Sequence, residues 1–107
     1  MNWYIVKNVF QIITGDGHHQ PQFEERMVLI QGDSPTHAYQ KAMISGKNGE
    51  ENIVNKGGEL VSWNFISTAQ IQAIEKLSDG TTLCIRTEEP DQSEAYIKWI
   101  KEGMLPN

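Results

Sequence analysis

The stretch WYIVKNVFQIITGDGHHQPQFEERMVLIQ, residues 3–31, decides the fold of this chain. Its two ends, residues 3–14 and 23–31, are rich in the β-branched and aromatic residues that are typical of β-strands. Between them, GDGHHQPQ combines glycines, an aspartate and a proline, which favour a loop over strand pairing. Because this connection is short, the two strands are predicted to form an antiparallel hairpin.

The first strand of this hairpin is apolar on both faces. Side chains alternate between the faces of a strand, so a sheet with one wet face shows alternating apolar and polar residues. Here one face carries Trp3, Ile5, Val9 and Ile13, and the other carries Tyr4, Val6, Phe10 and Ile12. Both faces are therefore expected to be buried, the second either by another copy of the chain or by curling of the sheet into a barrel-like monomer. We expect a homodimer, with these interface candidates on the hairpin: Trp3, Tyr4, Ile5 and Phe23.

A helix is predicted directly after the hairpin. Ser34 is a suitable N-cap, and Pro35 fits the first helical position, where its missing N–H costs nothing. Gly46 is a plausible stop, which places the helix at about residues 35–46.

Three further strands and a second helix are predicted in the remaining chain. Short strands are expected at 52–55 and from about residue 59. Residues 69–77 fit both a helical and a strand spacing, and we favour a strand because SDG at 78–80 is typical of a hairpin turn that leads into a last strand at 81–87. A second helix follows Pro90, and its apolar side consists of Tyr96, Ile97, Ile100 and Met104, with Trp99 at the edge.

The predicted order of elements is ββαβββα, in a single domain over residues 1–107. This order indicates an α+β fold with an antiparallel sheet of four to five strands and two helices packed mainly on one face. The predicted core contains Val6, Phe10, Val28, Ile30, Ala42, Trp63, Phe65, Leu83, Ile85, Ile97 and Ile100.

Charge and composition disfavour several functions. The chain has nine basic and 14 acidic residues, for a net charge of −5. Because the basic residues are scattered along the sequence, nucleic-acid binding is not expected. The N-terminus lacks the pattern of a signal peptide, and no apolar stretch approaches the roughly 20 residues of a membrane helix. The single cysteine, Cys84, cannot form an internal disulfide and is interpreted as a buried structural thiol. These features favour a cytoplasmic protein that does not act at a membrane.

The loop of the hairpin holds the strongest candidates for a metal site. His18 and His19 could bind a transition metal together with Asp16 or Glu24, since imidazole and carboxylate suit zinc or nickel. Adjacent histidines in an extended chain point in opposite directions, however, and His37 lies on a helix start without a visible partner. We therefore favour a solvated loop, with no metal and no cofactor.

The remaining polar and aromatic candidates also have simpler interpretations. Glu24 and Glu25 are neighbours on a strand and face opposite sides, so we expect an ion pair between Glu24 and Arg26 rather than an acid–base pair. Trp63 and Phe65 share a strand face, and a core role is favoured over an aromatic patch that anchors a partner.

Several short motifs resemble a bacterial family known as domain of unknown function 4288. The similarity covers about residues 3–87 and lies in Trp3-Tyr4, Phe23-Glu24-Glu25-Arg26, Asp33-Ser34 with Ala38 and Ala42, Trp63-x-Phe65, and Asp79-Gly80-Thr81. The resemblance implies that the chain shares the fold of this family and has a bacterial origin. It implies no activity, so no residue inherits a catalytic role from it.

Two classes of function remain open at the level of sequence. The first is a non-catalytic protein-association or regulatory module that acts as a homodimer. The alternative is a small-ligand-binding protein or weak enzyme that uses a cleft beside the first hairpin. We favour the module because the sequence contains no catalytic triad, ligand cluster or phosphate-binding loop.

Overall fold

The hairpin is the centre of the fold. A computed structural model describes residues 1–103, in which the elements are β1 (Asn2–Thr14), β2 (Gln22–Gly32), α1 (Pro35–Asn48), β3 (Glu51–Val54), β4 (Leu60–Ile74) and α2 (Ser93–Gly103). The four strands form one antiparallel sheet in the order β2-β1-β4-β3. The predicted α+β class, the first hairpin and the strand through residues 69–74 are thereby confirmed.

The sheet is open rather than closed. β2 and β3 form its two edges, so the barrel-like alternative is wrong. Two irregularities interrupt the pairing of β1 with β4, between Lys7 and Asn8 and between Val9 and Phe10. Bulges of this kind increase the local twist of a sheet, but here they do not bring the edges together.

The predicted strand at 81–87 is wrong. The turn before it does form, since the Thr81 N–H donates to the Ser78 carbonyl over 3.1 Å and Gly80 has a φ of +85°. The following residues make no strand, and Leu83 and Ile85 are exposed. Strand propensity depends on a pairing edge and a half-buried surface, and this segment has neither. The order in the structure is accordingly ββαββα.

Helix α1 packs on one face of the sheet and encloses the core. As predicted, Ser34 caps the helix, because its Oγ accepts the His37 N–H over 3.1 Å, and Pro35 occupies the first turn. The helix ends at Asn48 instead of Gly46. Gly46 is buried and packs against Phe65 of the sheet, so the contact between helix and sheet extends past it. The core cluster beneath α1 consists of Tyr4, Val6, Ile30, Ala38 and Ala42. Phe10, Val61 and Ile74 are also buried, and Ile74 lies across from Trp3 on the other face of the sheet.

The predicted core is partly confirmed. Val6, Phe10, Ile30 and Ala42 are buried, and Val28 packs against them. Trp63 and Phe65 are half-buried. Leu83, Ile85, Ile97 and Ile100 are exposed, and this part of the prediction is wrong.

A buried polar residue, Asn8, joins three elements in the middle of this core. Its Nδ2 donates to the Ala42 carbonyl of α1 over 3.2 Å, and its Oδ1 accepts the Thr68 hydroxyl of β4 over 2.6 Å. Buried polar groups are tolerated when they are paired, and the pairs then specify one arrangement of the elements. Asn8 therefore sets the position of α1 along the sheet.

Helix α2 does not pack on the sheet, contrary to the prediction that both helices lie on one face. Within residues 1–103 it contacts no other helix or strand, and it buries no residue. The radius of gyration is 17.7 Å, against about 13 Å for a compact chain of this length. Met104, assigned to the apolar side of this helix from the sequence, lies outside the described residues. Neither α1 nor α2 has the length and apolar character of a membrane-crossing helix.

We expect Gly46→Ala to destabilise the protein. Alanine normally favours a helix by about 1 kcal/mol over glycine, but a Cβ at this position would overlap the Phe65 ring. Overpacking of a core costs about 1–3 kcal/mol, so the net free energy of unfolding should fall. Urea denaturation measures the change. Gly103→Ala, which adds the same methyl group where no atom lies within 4 Å, is the control, and an equal effect of both changes would contradict the prediction.

Candidate functional site

The face of the sheet opposite α1 is an apolar surface on which no helix of the described chain packs. Asn8 and its even-numbered neighbours in β1 point to α1, so the odd-numbered residues point away from it. We call this surface the open face, and it consists of Trp3, Ile5, Val9 and Ile13 in β1 and Phe23, Met27 and Leu29 in β2.

The open face is accessible along β2 and half-covered along β1. In β2, Phe23 is 58% exposed, Met27 46% and Leu29 49%. The residues that β1 contributes to the open face are each half-buried. Leu29 lies directly across from Ile5, and Phe23 across from Gln11. A contiguous apolar surface of this kind is unusual on a monomer and is typical of an association site.

One ion pair lies in the middle of the open face. Lys7 and Glu25 approach to 3.5 Å, and their side chains are 25% and 61% exposed. An exposed pair of this kind contributes less than about 1 kcal/mol to stability. Its main effect is to place one positive and one negative charge within an otherwise apolar patch.

The predicted interface residues separate into two groups. Trp3, Ile5 and Phe23 lie on the open face. Tyr4 is only 2% exposed and belongs to the core beneath α1, so its assignment to an interface is corrected. Trp63 and Phe65 lie on the α1 side of the sheet, where they pair with Ile12 and Phe10.

Two sequence motifs meet on the α1 side, near the end of that helix. Arg26 pairs with Glu24 as predicted, and the Trp63 Nε1–H also donates to Glu24 over 3.4 Å. The Arg26 guanidinium lies 4.0 Å from the centre of the Phe10 ring, a cation–π geometry, and the rings of Phe10 and Phe65 are 5.5 Å apart. Glu24 and Arg26 of the Phe-Glu-Glu-Arg element thus form one packed cluster with the Trp-x-Phe element rather than a catalytic pair.

Glu50 links this cluster to the end of α1. Its carboxylate pairs with Lys47 over 2.9 Å and accepts the Phe65 N–H over 2.9 Å. The hydrogen bond from Lys47, followed by that from Phe65, holds the pKa of the Glu50 carboxyl below its ordinary value. The ionised side chain therefore ties β4 to the residues that follow α1.

The histidine loop is held by its own hydrogen bonds. The Thr14 N–H donates to His19 Nε2 over 3.0 Å, and His19 Nδ1 lies 2.7 Å from the Gln20 carbonyl, so neutral His19 protonated at Nδ1 satisfies both contacts. His18 is exposed and lies 3.1 Å from Asp16. Across residues 1–103, no three histidine, cysteine, aspartate or glutamate side chains come together in a geometry that could hold a metal ion.

Two cavities border the hairpin. One of about 550 Å³ lies at the histidine loop and is lined by Asp16, His18, His19 and Glu59 among others. Another of about 590 Å³ lies between β2 and α1, beside Ile30, Lys41 and Ile44. Cys84, expected to be buried, is exposed because the strand predicted around it does not form.

Several residues that organise this region were not predicted from the sequence. Asn8 and Glu50 were not assigned roles, and Gly46 was expected to end α1 rather than to pack against Phe65, although each makes a defined contact. A single asparagine within an apolar strand face was a usable signal for a buried polar contact. The roles of Gly46 and Glu50 depend on how α1 lies on the sheet and have no local signal.

We expect Glu50→Gln to lower the melting temperature at neutral pH but not in acid. A carboxyl whose pKa is lowered by folding stabilises the protein above its unfolded pKa, and this contribution is lost as the pH falls through the folded pKa, below 4.5. The difference in melting temperature between the native chain and Glu50→Gln should therefore be present at pH 7 and shrink below pH 4.5. Glu51→Gln, at an exposed neighbouring position, is the matched control. A difference that is independent of pH would contradict the assignment.

The two loop histidines are expected to differ in their effect on stability. His18→Ala should leave the unfolding free energy unchanged, while His19→Ala should lower it by about 1 kcal/mol because two hydrogen bonds are lost. Added zinc should change neither melting temperature. Thermal unfolding with and without zinc tests this, and a rise of several degrees that requires both histidines would establish a metal site instead.

Comparison with known proteins places the chain in a family. The family model described as Domain of unknown function (DUF4288) matches residues 3–84, a range that contains the complete sheet and α1 and ends before α2. No curated protein and no solved structure matches the chain. Because the match spans most of the sequence, the chain belongs to the family of proteins that carry the domain of unknown function DUF4288.

Proposed function

We propose that this protein is a non-catalytic association module that forms a homodimer through its open face. The exposed apolar side chains of β2, together with the half-buried ones of β1, carry this proposal. Burial of apolar surface contributes about 25 cal/mol per Å². A symmetric dimer covers this surface in both copies with one contact, because the same patch serves each partner.

The size of the open face suits such a contact. β1 has 13 residues and the sheet has four strands. At about 3.3 Å per residue and 4.8 Å per strand, β1 and β2, the two strands that carry the open face, span roughly 40 Å by 10 Å, or about 400 Å² in plan. A standard interface buries about 800 Å² of accessible surface on each partner, and the side chains that project from the sheet add to its planar area.

Electrostatics do not prevent this association. Each copy has a net charge of −5, but charges separated by more than about 8–10 Å are screened at physiological salt. Within the open face, Lys7 and Glu25 already neutralise each other. Across a two-fold axis each of them could pair with its counterpart in the other copy.

The same site supports a binding role over catalysis. The ionisable side chains near the sheet come together as pairs, such as Glu24 with Arg26 and Lys47 with Glu50. Their partners are structural neighbours, and these two pairs lie on the side of the sheet away from the open face, which carries only the pair of Lys7 with Glu25 among the described residues. A regulatory or protein-binding role follows if a different protein replaces the second copy on the same face.

The cavity at the histidine loop supports a second candidate function, the binding of a small polar ligand. It lies beside the first hairpin and is lined by the side chains of Asp16, His18, His19 and Glu59. Two of these side chains already bond within the loop, His18 with Asp16 and His19 with the backbone. Because these contacts occupy polar atoms that a ligand would need, we rank this function second.

The compartment proposed for this protein is the bacterial cytoplasm. Cys84 is exposed and is the only cysteine of the chain. A free exposed thiol is best preserved in a reducing compartment. The family resemblance supports the bacterial source.

The dimer is tested by light scattering after size exclusion at tens of micromolar. The native chain, of 12.1 kDa, should elute with about twice that mass. Leu29→Glu and Ile5→Glu place a charge on the open face and should yield a monomer, because an unpaired buried charge opposes association. Ile44→Glu, at an exposed position of α1, is the control and should leave the dimer intact. A native mass near 12.1 kDa at every concentration would reject the proposal.

A further inference from the structure

Helix α2 is the second uncovered apolar surface of this chain. Ile97 is 50% exposed, Trp99 68% and Ile100 36%, and the rings of Tyr96 and Trp99 are 6.4 Å apart on the same side. Lys98, Lys101, Glu94 and Glu102 occupy the other side. The helix is therefore amphipathic, with its apolar side facing no other element of residues 1–103.

A helix of this length requires a surface to pack on. α2 has 11 residues, and isolated helices shorter than about 12–15 residues are marginal in water. Most of the stability of a short amphipathic helix comes from packing of its apolar side. Without such packing, α2 would be only partly formed in solution.

The dimensions of α2 and of its linker fit the open face. At about 1.5 Å per residue the helix is about 16 Å long, enough to cross β1 and β2, the two adjacent strands that carry the open face at a spacing of about 4.8 Å. Residues 75–92 connect it to the end of β4. Fully extended, a linker of this length spans about 60 Å, more than the 44 Å longest extent of the molecule.

We propose that α2 docks across the open face of its own chain and competes there with the second copy. This inference rests on the proposed function, because it names the regulator of the same surface. The apolar side of α2 would cover Ile5, Met27 and Leu29, and its charged side would face water. The structure represents the undocked state, in which the face is free to associate.

Docking within one chain is favoured over docking on a partner because of the tether. A short flexible linker gives its attached segment an effective concentration in the millimolar range. A second copy reaches that concentration only when the protein itself is very abundant. α2 also lies outside the part of the chain that the family model matches, residues 3–84.

The consequence is a concentration-dependent switch. At low protein concentration, α2 closes the open face and the chain is a monomer with helices on both sides of the sheet. At high concentration, the second copy displaces α2. If about two thirds of the monomers are closed, about one third of them can dimerise. Both partners must be open, so the apparent dimer dissociation constant rises by the square of three, about ninefold.

The first test measures the effect of α2 on dimerisation. In the full-length chain, the double variant Ile97→Glu and Ile100→Glu should lower the dimer dissociation constant, by about ninefold under the assumption above, as measured by sedimentation equilibrium. Lys98→Glu, on the charged side of α2, is the matched control and should change it little. An unchanged constant in the double variant would overturn the inference and leave the proposed function intact. A weaker dimer would also overturn it, since α2 would then belong to the dimer interface.

The second test detects docking without reference to dimerisation. In a Cys84→Ser background, Leu29→Cys is combined with Ile97→Cys, or with Lys98→Cys as the control, in a glutathione redox buffer at low protein concentration. Docking predicts a disulfide within one chain, formed several times more readily with Cys introduced at 97 than at 98. Equal yields would overturn the inference. If every variant is monomeric at all concentrations the proposed function fails, and the disulfide yields alone then decide whether α2 docks.

Discussion

The close contact of α1 with one face of β1 is the constraint on which the rest of the structure depends. Ala38, Ala42 and Gly46 are the buried residues of the helix, and their small size lets the helix backbone approach the sheet. Asn8 then bonds both to the Ala42 carbonyl and to Thr68, so the helix has one position along the strands. A single helix covers only one face of a four-stranded sheet, and the other face is left to another partner.

The chemistry of the two faces follows from this division. On the α1 side, the polar side chains make contacts within the fold. Glu24 pairs with Arg26 and accepts a hydrogen bond from Trp63, and Glu50 accepts the backbone N–H of Phe65. On the open face there is an apolar patch with one ion pair. A surface of this composition recognises another surface by shape and burial, and this is the basis of the proposed association.

The open face and α2 form a matched pair within one chain. Each exposes apolar side chains, and residues 75–92 join them with enough length for contact. Two occupants, α2 and a second copy, are therefore available for one surface that can be covered only once. The proposed association and the proposed regulation would thus depend on the same side chains.

The sequence by itself determined the local structure and the surplus of apolar residues. Alternation in residues 3–14, the loop at 15–22 and the cap at Ser34 are local signals, and the hairpin, the helix start and the class of fold followed from them. The pairing of Glu24 with Arg26 was also predictable because the two residues share a strand face. Only the tertiary structure decided that Tyr4 is buried while Leu29 is exposed, that residues 81–87 form no strand, and that α2 stands apart from the sheet. The physical reason is that periodicity defines which residues share a face, whereas burial depends on which element packs against that face, and the position of α1 is set by contacts between residues distant in the chain.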